Sequence, residues 1–392
     1  MTRKAAVTEK PTDLEVFFRM LGRYFNERSN FRGNVREDED SFSSGRELRK
    51  RCLKQAGAID KGLREGLDGF FHLELSDRLD ELPGLRRHSA LRYPESLESD
   101  EHIHDAGIEQ RLEALLNAPL DEGHFADVNV VWHGERWLAE MSLYKVLERQ
   151  TVLIDGRYIE EYFVDRRESI SPFPLRTGAY VGRGRIFYCL DQVLSPRWVA
   201  EQWTQEHEAH NIPLHEQIVA LYKRSLVEDT LTFEEAVEEM VMHEREHIRY
   251  TVSEGLIVAF KETGLLEGLP DRAEWRDAII EAAPLLLQLA ASKMPNYELA
   301  QAINRALLPV YRADHHQPAA ILVMNLLCRY NDERGRWIDT SGDTLQERLR
   351  DIDKLTVEQV REAAGYWHNK FYEIKMMEDL EQLNRAENSL TR

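Results

Sequence analysis

Cysteine is scarce in this chain, basic charge is in deficit, and long apolar runs are missing. Only three cysteines occur in 392 residues. Cys52, Cys189 and Cys328 are odd in number, far apart and without C-x-x-C spacing. That excludes a disulfide framework and points to free thiols in a reducing compartment. Lys and Arg total 51 against 70 Asp and Glu, a formal net charge of −19. A surface of that sign repels phosphates and anionic lipids, so neither nucleic acid nor a membrane is expected as a partner. The longest apolar stretches, around 282–291 and 318–328, fall short of the roughly 20 residues that span a bilayer. Residues 1–12 are polar and lack the apolar core of a signal peptide. The expectation is a cytoplasmic protein.

What remains is a chain 42% hydrophobic and 31% charged, as in globular proteins with a heavily charged surface. Apolar residues recur at helical spacing over 13–28, and a polar loop is expected over 29–45. Helix is expected again over 46–81 and, briefly, over 107–117. Runs rich in β-branched and aromatic residues then appear at 127–133, 151–154, 158–164 and 185–190. Asp155-Gly156 marks a hairpin turn between two of them. The glycine-rich stretch 178–184 reads as a turn before a strand. From 196 onward nearly every segment reads as helix, including one over 233–262. No internal repeat or low-complexity tract appears. The fold class is therefore α+β and mostly helical, with a small β-sheet followed by a helical metal-site region. The divisions expected are an N-terminal helical region at 1–120, a small sheet region at 121–195, a helical metal-site region at 196–340 and C-terminal helices at 341–392.

One segment carries chemistry. Thr232 followed by Glu235 has the spacing of a capping box. Phe233, Ala236, Val237, Met240 and Val241 form an apolar stripe behind it. The helix then presents His243-Glu244-Arg245-Glu246-His247. Histidines four apart share one helix face, so both imidazoles can reach one ion. Glu244 stands beside them, placed to take a proton from water that the ion has acidified. The HExxH pattern compresses this set into five residues.

The segment resembles the zincin metallopeptidases, and more loosely their gluzincin branch. The resemblance covers the active helix and, weakly, its surroundings. It implies a Zn2+ cofactor, a protein or peptide substrate, Glu244 as general base and a later glutamate as third ligand. The metzincin extension is absent, because Tyr250 and Ser253 stand where it needs Gly and His. Glu281 suits the third ligand best. It opens an apolar run beyond a turn at 264–270, and a buried carboxylate there needs a partner. Glu274 and Asp277 are the next choices. Glu254 is poorly placed if the helix is continuous, since seven residues rise about 10.5 Å.

Other residues invite weaker readings. Asp314-His315-His316, Tyr297 and Tyr311 are candidate donors to a developing oxyanion or outer contacts of the metal. A second His/Glu cluster at 206–216 and the acidic stretches at 101–104 and 122–124 read as exposed polar segments. Two alternatives to a peptidase stand. One is a di-metal carboxylate protein using Glu244-x-x-His247, which needs a second such pair; Glu101-x-x-His104 supplies one only in a loop-like stretch. The other is a non-enzymatic helical interaction protein with an accidental or decayed motif.

Overall fold

The computed structural model describes residues 12–31, 39–73, 102–104, 106–133, 136–170, 179–182, 184–205, 212–250, 252–266, 272–308 and 316–390. The architecture is α+β and mostly helical. The chain divides into two compact units. The first takes residues 1–150, 162–177 and 189–191; the second takes 151–161, 178–188 and 192–392.

The first unit begins with helices α1 (Asp13–Phe31), α2 (Glu39–Ile59) and α3 (Lys61–Leu73). The expected loop over 29–45 is thus shorter on both sides; residues 32–38 lie outside the described residues. Asp60 separates α2 from α3, its Oδ1 accepting from the Leu63 amide at 2.8 Å. Strand β1 (His102–His104), helix α4 (Ala106–Asn117) and strand β2 (His124–His133) follow. Residues 102–104 were expected to be loop; they form a strand instead, because β2 offers them an antiparallel partner, with Ile103 opposite Trp132. Phe17, Phe18, Leu21, Leu63, Leu67, Leu112, Val128 and Leu143 belong to one buried core.

Strands β3 (Arg136–Ile154) and β4 (Arg157–Ile170) join at Asp155-Gly156. Both turn residues have positive φ, 47° and 77°. A two-residue hairpin turn of this hand demands that conformation, which glycine and aspartate tolerate. Strands β5 (Ala179–Gly182) and β6 (Arg185–Cys189) complete the order β1-β2-β3-β4-β6-β5. The glycine-rich stretch is therefore more than a turn. It carries β5, the last strand in that order among the described residues, paired antiparallel with β6.

The second unit is built on helices α5 (Pro196–Gln205), α6 (His215–Glu228), α7 (Phe233–Arg249), α8 (Glu254–Glu262), α9 (Arg272–Ala291), α10 (Pro295–Leu307), α11 (His316–Tyr330), α12 (Leu345–Arg348) and α13 (Val357–Leu390). The single helix expected over 233–262 is two. Tyr250 leaves helical geometry at φ −102° and ψ 68°, and Ser253 caps α8 by accepting from the Leu256 amide. The strong new cap outweighs continuation. Helix α9 packs on α7, α10, α11 and α13. Its apolar run places Ala278, Ile279, Ala282, Ala283, Leu286 and Leu289 in the main core. Phe260 and Phe371 meet edge to face in that core, with centroids 4.6 Å apart. No helix among the described residues is long and apolar enough to cross a membrane. All three cysteines are buried free thiols.

Candidate metal centre

Helix α7 starts where Thr232 Oγ1 accepts from the Glu235 amide at 3.1 Å. The reciprocal half of the expected capping box is not made. The Thr232 amide donates to Thr230 O, and Glu235 Oε1 accepts from Lys293 Nζ at 2.9 Å. An ammonium within reach is a stronger partner for a carboxylate than a neutral amide.

About three turns after Thr232, His243 Nε2 and His247 Nε2 lie 3.1 Å apart. Glu281, in the interior of α9, brings Oε2 to 3.3 Å from His243 Nε2 and 3.4 Å from His247 Nε2. His316, the first residue of α11, brings its Nε2 to 3.3 Å from the same oxygen. Four donors thus converge from three helices.

These separations test the fit of an ion. Zinc–nitrogen and zinc–oxygen bonds of about 2.0–2.1 Å in a tetrahedron place neighbouring donors roughly 3.3 Å apart. The four contacts run from 3.1 to 3.4 Å. As hydrogen bonds they fit worse. Charge-assisted N–H···O contacts are about 2.7–2.9 Å, and here three nitrogens address one oxygen at longer range. The donor set of imidazole and carboxylate is one zinc accepts.

The surroundings orient the donors. His243 Nδ1 stands 3.2 Å from Gln288 Oε1, seven residues beyond Glu281 on α9. With that Nδ1–H donating to the amide oxygen, Nε2 keeps its lone pair toward the cluster. Burial alone would lower the basicity of His247, but its bond to Glu281 and the charges of Glu281, Glu244 and Glu246 outweigh this and raise it. Burial alone would raise the pKa of Glu281, but the three imidazoles hold its carboxyl well below the usual range. Glu281 is therefore a buried carboxylate that stays ionised. Glu244 is itself buried, and one of its oxygens lies within 4.8 Å of donor atoms on both His243 and His247.

The two variable positions of the motif also have partners, which sequence reasoning missed. Arg245 donates Nε and Nη2 to the two oxygens of Glu161 on β4, each at 2.7 Å. Glu161 is fully buried and also accepts from Tyr188 Oη on β6 at 3.0 Å. On another side of α7, Glu246 Oε1 accepts from Tyr372 Oη and lies 2.8 Å from His368 Nε2, both on α13. Burial works to raise its pKa, and these bonds with the His368 and Arg249 charges bring it below the ordinary value. Helix α7 is thereby fixed to strands, to α9 and to α13.

The remaining expected residues fall elsewhere. Side chains of Glu254, Glu274 and Asp277, and all of Tyr311, Asp314 and His315, lie outside the described residues, as do 206–211 and Glu101. Tyr297 packs its ring edge-on to Tyr222, with centroids 5.9 Å apart. His104 sits on strand β1, so Glu101-x-x-His104 lacks the helical i, i+3 arrangement a di-metal bundle needs. The place of His316 among the donors was not foreseen as ligation. Its only signal was a histidine directly before an apolar helix. No protein-family model matches the chain, and comparison with curated proteins and with solved structures gives no significant match.

Proposed function

We propose that the protein is a zinc-dependent hydrolase that cleaves peptide bonds, acting in the cytoplasm. The observation that carries this reading is the convergence of His243, His247, Glu281 and His316 donors at separations of 3.1–3.4 Å beside the buried Glu244. His243, His247 and Glu281 would hold the ion. When bound, zinc supplies a lowered pKa for water and polarises a carbonyl. Glu244 takes the proton of the attacking water on its carboxylate and delivers it to the leaving amine. Gln288 keeps the His243 ring turned so that Nε2 faces the cluster. Buried free thiols suit the reducing interior of a cell.

A peptide substrate is supported by strand β5. It is last in the strand order and lies against α7. Among the described residues the outer edge of β5 has no strand partner, and such an edge can take an extended chain by main-chain pairing.

The deciding experiment is metal content by elemental analysis, followed by cleavage of a peptide library. One zinc per chain in wild type, none in the His243→Ala/His247→Ala variant, and retained zinc with lost cleavage in Glu244→Gln would support the reading. No stoichiometric metal in wild type offered zinc would overturn it and favour a helical binding protein.

A further inference from the structure

We infer that His316 is a fourth protein ligand, so that the metal centre rests closed and opens for hydrolysis only when His316 withdraws. This rests on the zinc reading above and adds a regulatory state to it. The distances make the case. His316 Nε2 stands 3.3 Å from Glu281 Oε2, as close as His243 at 3.3 Å and His247 at 3.4 Å. His243, Glu281 and His316 each offer a donor atom, all within 4.8 Å of one another. His316 addresses the same oxygen of Glu281, Oε2, as the two motif histidines do, and not the other carboxylate oxygen. Three imidazoles and one carboxylate make four protein donors, the number that a closed structural zinc site uses. A catalytic site keeps three protein ligands and gives the fourth position to water.

Which donor would leave follows from exposure and position. The His316 side chain is 24% exposed, against 12% for His243, 16% for His247 and 10% for Glu281. His243 and His247 stand within a continuous helix, and Glu281 lies in the interior of α9. His316 is the first residue of α11, so its backbone can shift by unwinding only the opening turn. The other three have no such freedom. With His316 withdrawn, His243, His247 and Glu281 remain as the open set, and Glu244 offers an oxygen within 4.8 Å of the donors of His243 and His247.

The test is spectroscopic and uses the full chain. Zinc X-ray absorption of the loaded wild type should count three imidazoles. The cobalt-loaded wild type should show a four-coordinate visible spectrum that azide does not change. His316→Ala and His316→Gln should each lose one imidazole and respond to azide. Both should bind zinc at least about tenfold more weakly, the lower end of what loss of even an outer partner costs. Two imidazoles in wild type, or azide binding as strong as in the variants, would overturn the inference. Two imidazoles with one zinc that His243→Ala/His247→Ala removes would sink the inference alone and leave the hydrolase reading standing. A wild type that takes no zinc would sink both. The wild-type absorption count stands even if a variant fails to fold.

Discussion

Replacing Arg245 by Met should destabilise the second unit by about 3 kcal/mol without touching a metal donor. Glu161 is fully buried and receives two guanidinium bonds at 2.7 Å. Removing one partner of a buried ion pair typically costs about 3–5 kcal/mol, because the other charge is left uncompensated. The Tyr188 hydroxyl remains on Glu161 at 3.0 Å and offsets about 1 kcal/mol. An expected loss of about 3 kcal/mol is a shift of roughly 150-fold in the folding equilibrium. Removing both charges in Glu161→Leu/Arg245→Met should restore most of this, since a packed apolar pair often matches a buried ion pair. Urea unfolding of metal-free protein at pH 7, followed by tryptophan fluorescence, measures all three. A single variant as stable as wild type would refute the argument. So would a double variant no more stable than the single one, because the loss would then come from packing and not from the stranded carboxylate.

Glu298 is held neutral near pH 7, its pKa pushed up to about 8 from 4.5 by burial and then by the charge of Glu239. An acid with a raised folded pKa contributes stability that is full below the unfolded value and lost as pH rises through the folded one. Stability should therefore fall between pH 4.5 and 8, with a slope approaching about 1.4 kcal/mol per unit from this group, and Glu298→Gln should flatten that fall in unfolding measured across pH. Gln288→Leu removes the acceptor of His243 Nδ1 and should weaken zinc roughly 10–100-fold in competition with a chelating dye, while one zinc still binds. Excess zinc at 1,000 times its Kd should stabilise wild type by about 4 kcal/mol; His243→Ala/His247→Ala should show no such gain in thermal unfolding.

The α+β, mostly helical class was readable because long amphipathic helices carry a strong periodic signal. The Asp155-Gly156 turn was equally legible, since positive φ at two adjacent residues restricts the residue types. Short or context-made features were not. Strand β1 exists because β2 lies beside it, and three residues hold no pattern of their own. The break between α7 and α8 was hidden because helical spacing resumes at once after Ser253. In the candidate site, His243, Glu244 and His247 are local in sequence and could be seen together. Glu281 could be ranked by its chemistry, as a carboxylate in an apolar run. His316 could not, because a side chain brought in from α11 is placed only by how α9 and α11 pack. Glu161, His368 and Tyr372 are distant in sequence and leave no local trace.

The variable positions of the motif bear on whether it is accidental. Successive helical residues turn by about 100°, so Arg245 points roughly opposite the His243–His247 pair, while Glu244 and Glu246 flank it on either side. On a solvated helix carrying HExxH by chance, Arg245 and Glu246 would be exposed charges. Here Glu246 is 1% exposed and bound by two residues of α13, 122 and 126 positions away. Arg245 reaches a carboxylate 84 positions away that is wholly buried. Burying such charges is costly unless their partners are built to receive them. Both anchors resist rotation of α7 about its axis, which would carry two imidazoles away from Glu281 together. Donor contacts held between 3.1 and 3.4 Å need that restraint, and an interaction surface does not. The anchors therefore favour a metal centre over a decayed motif.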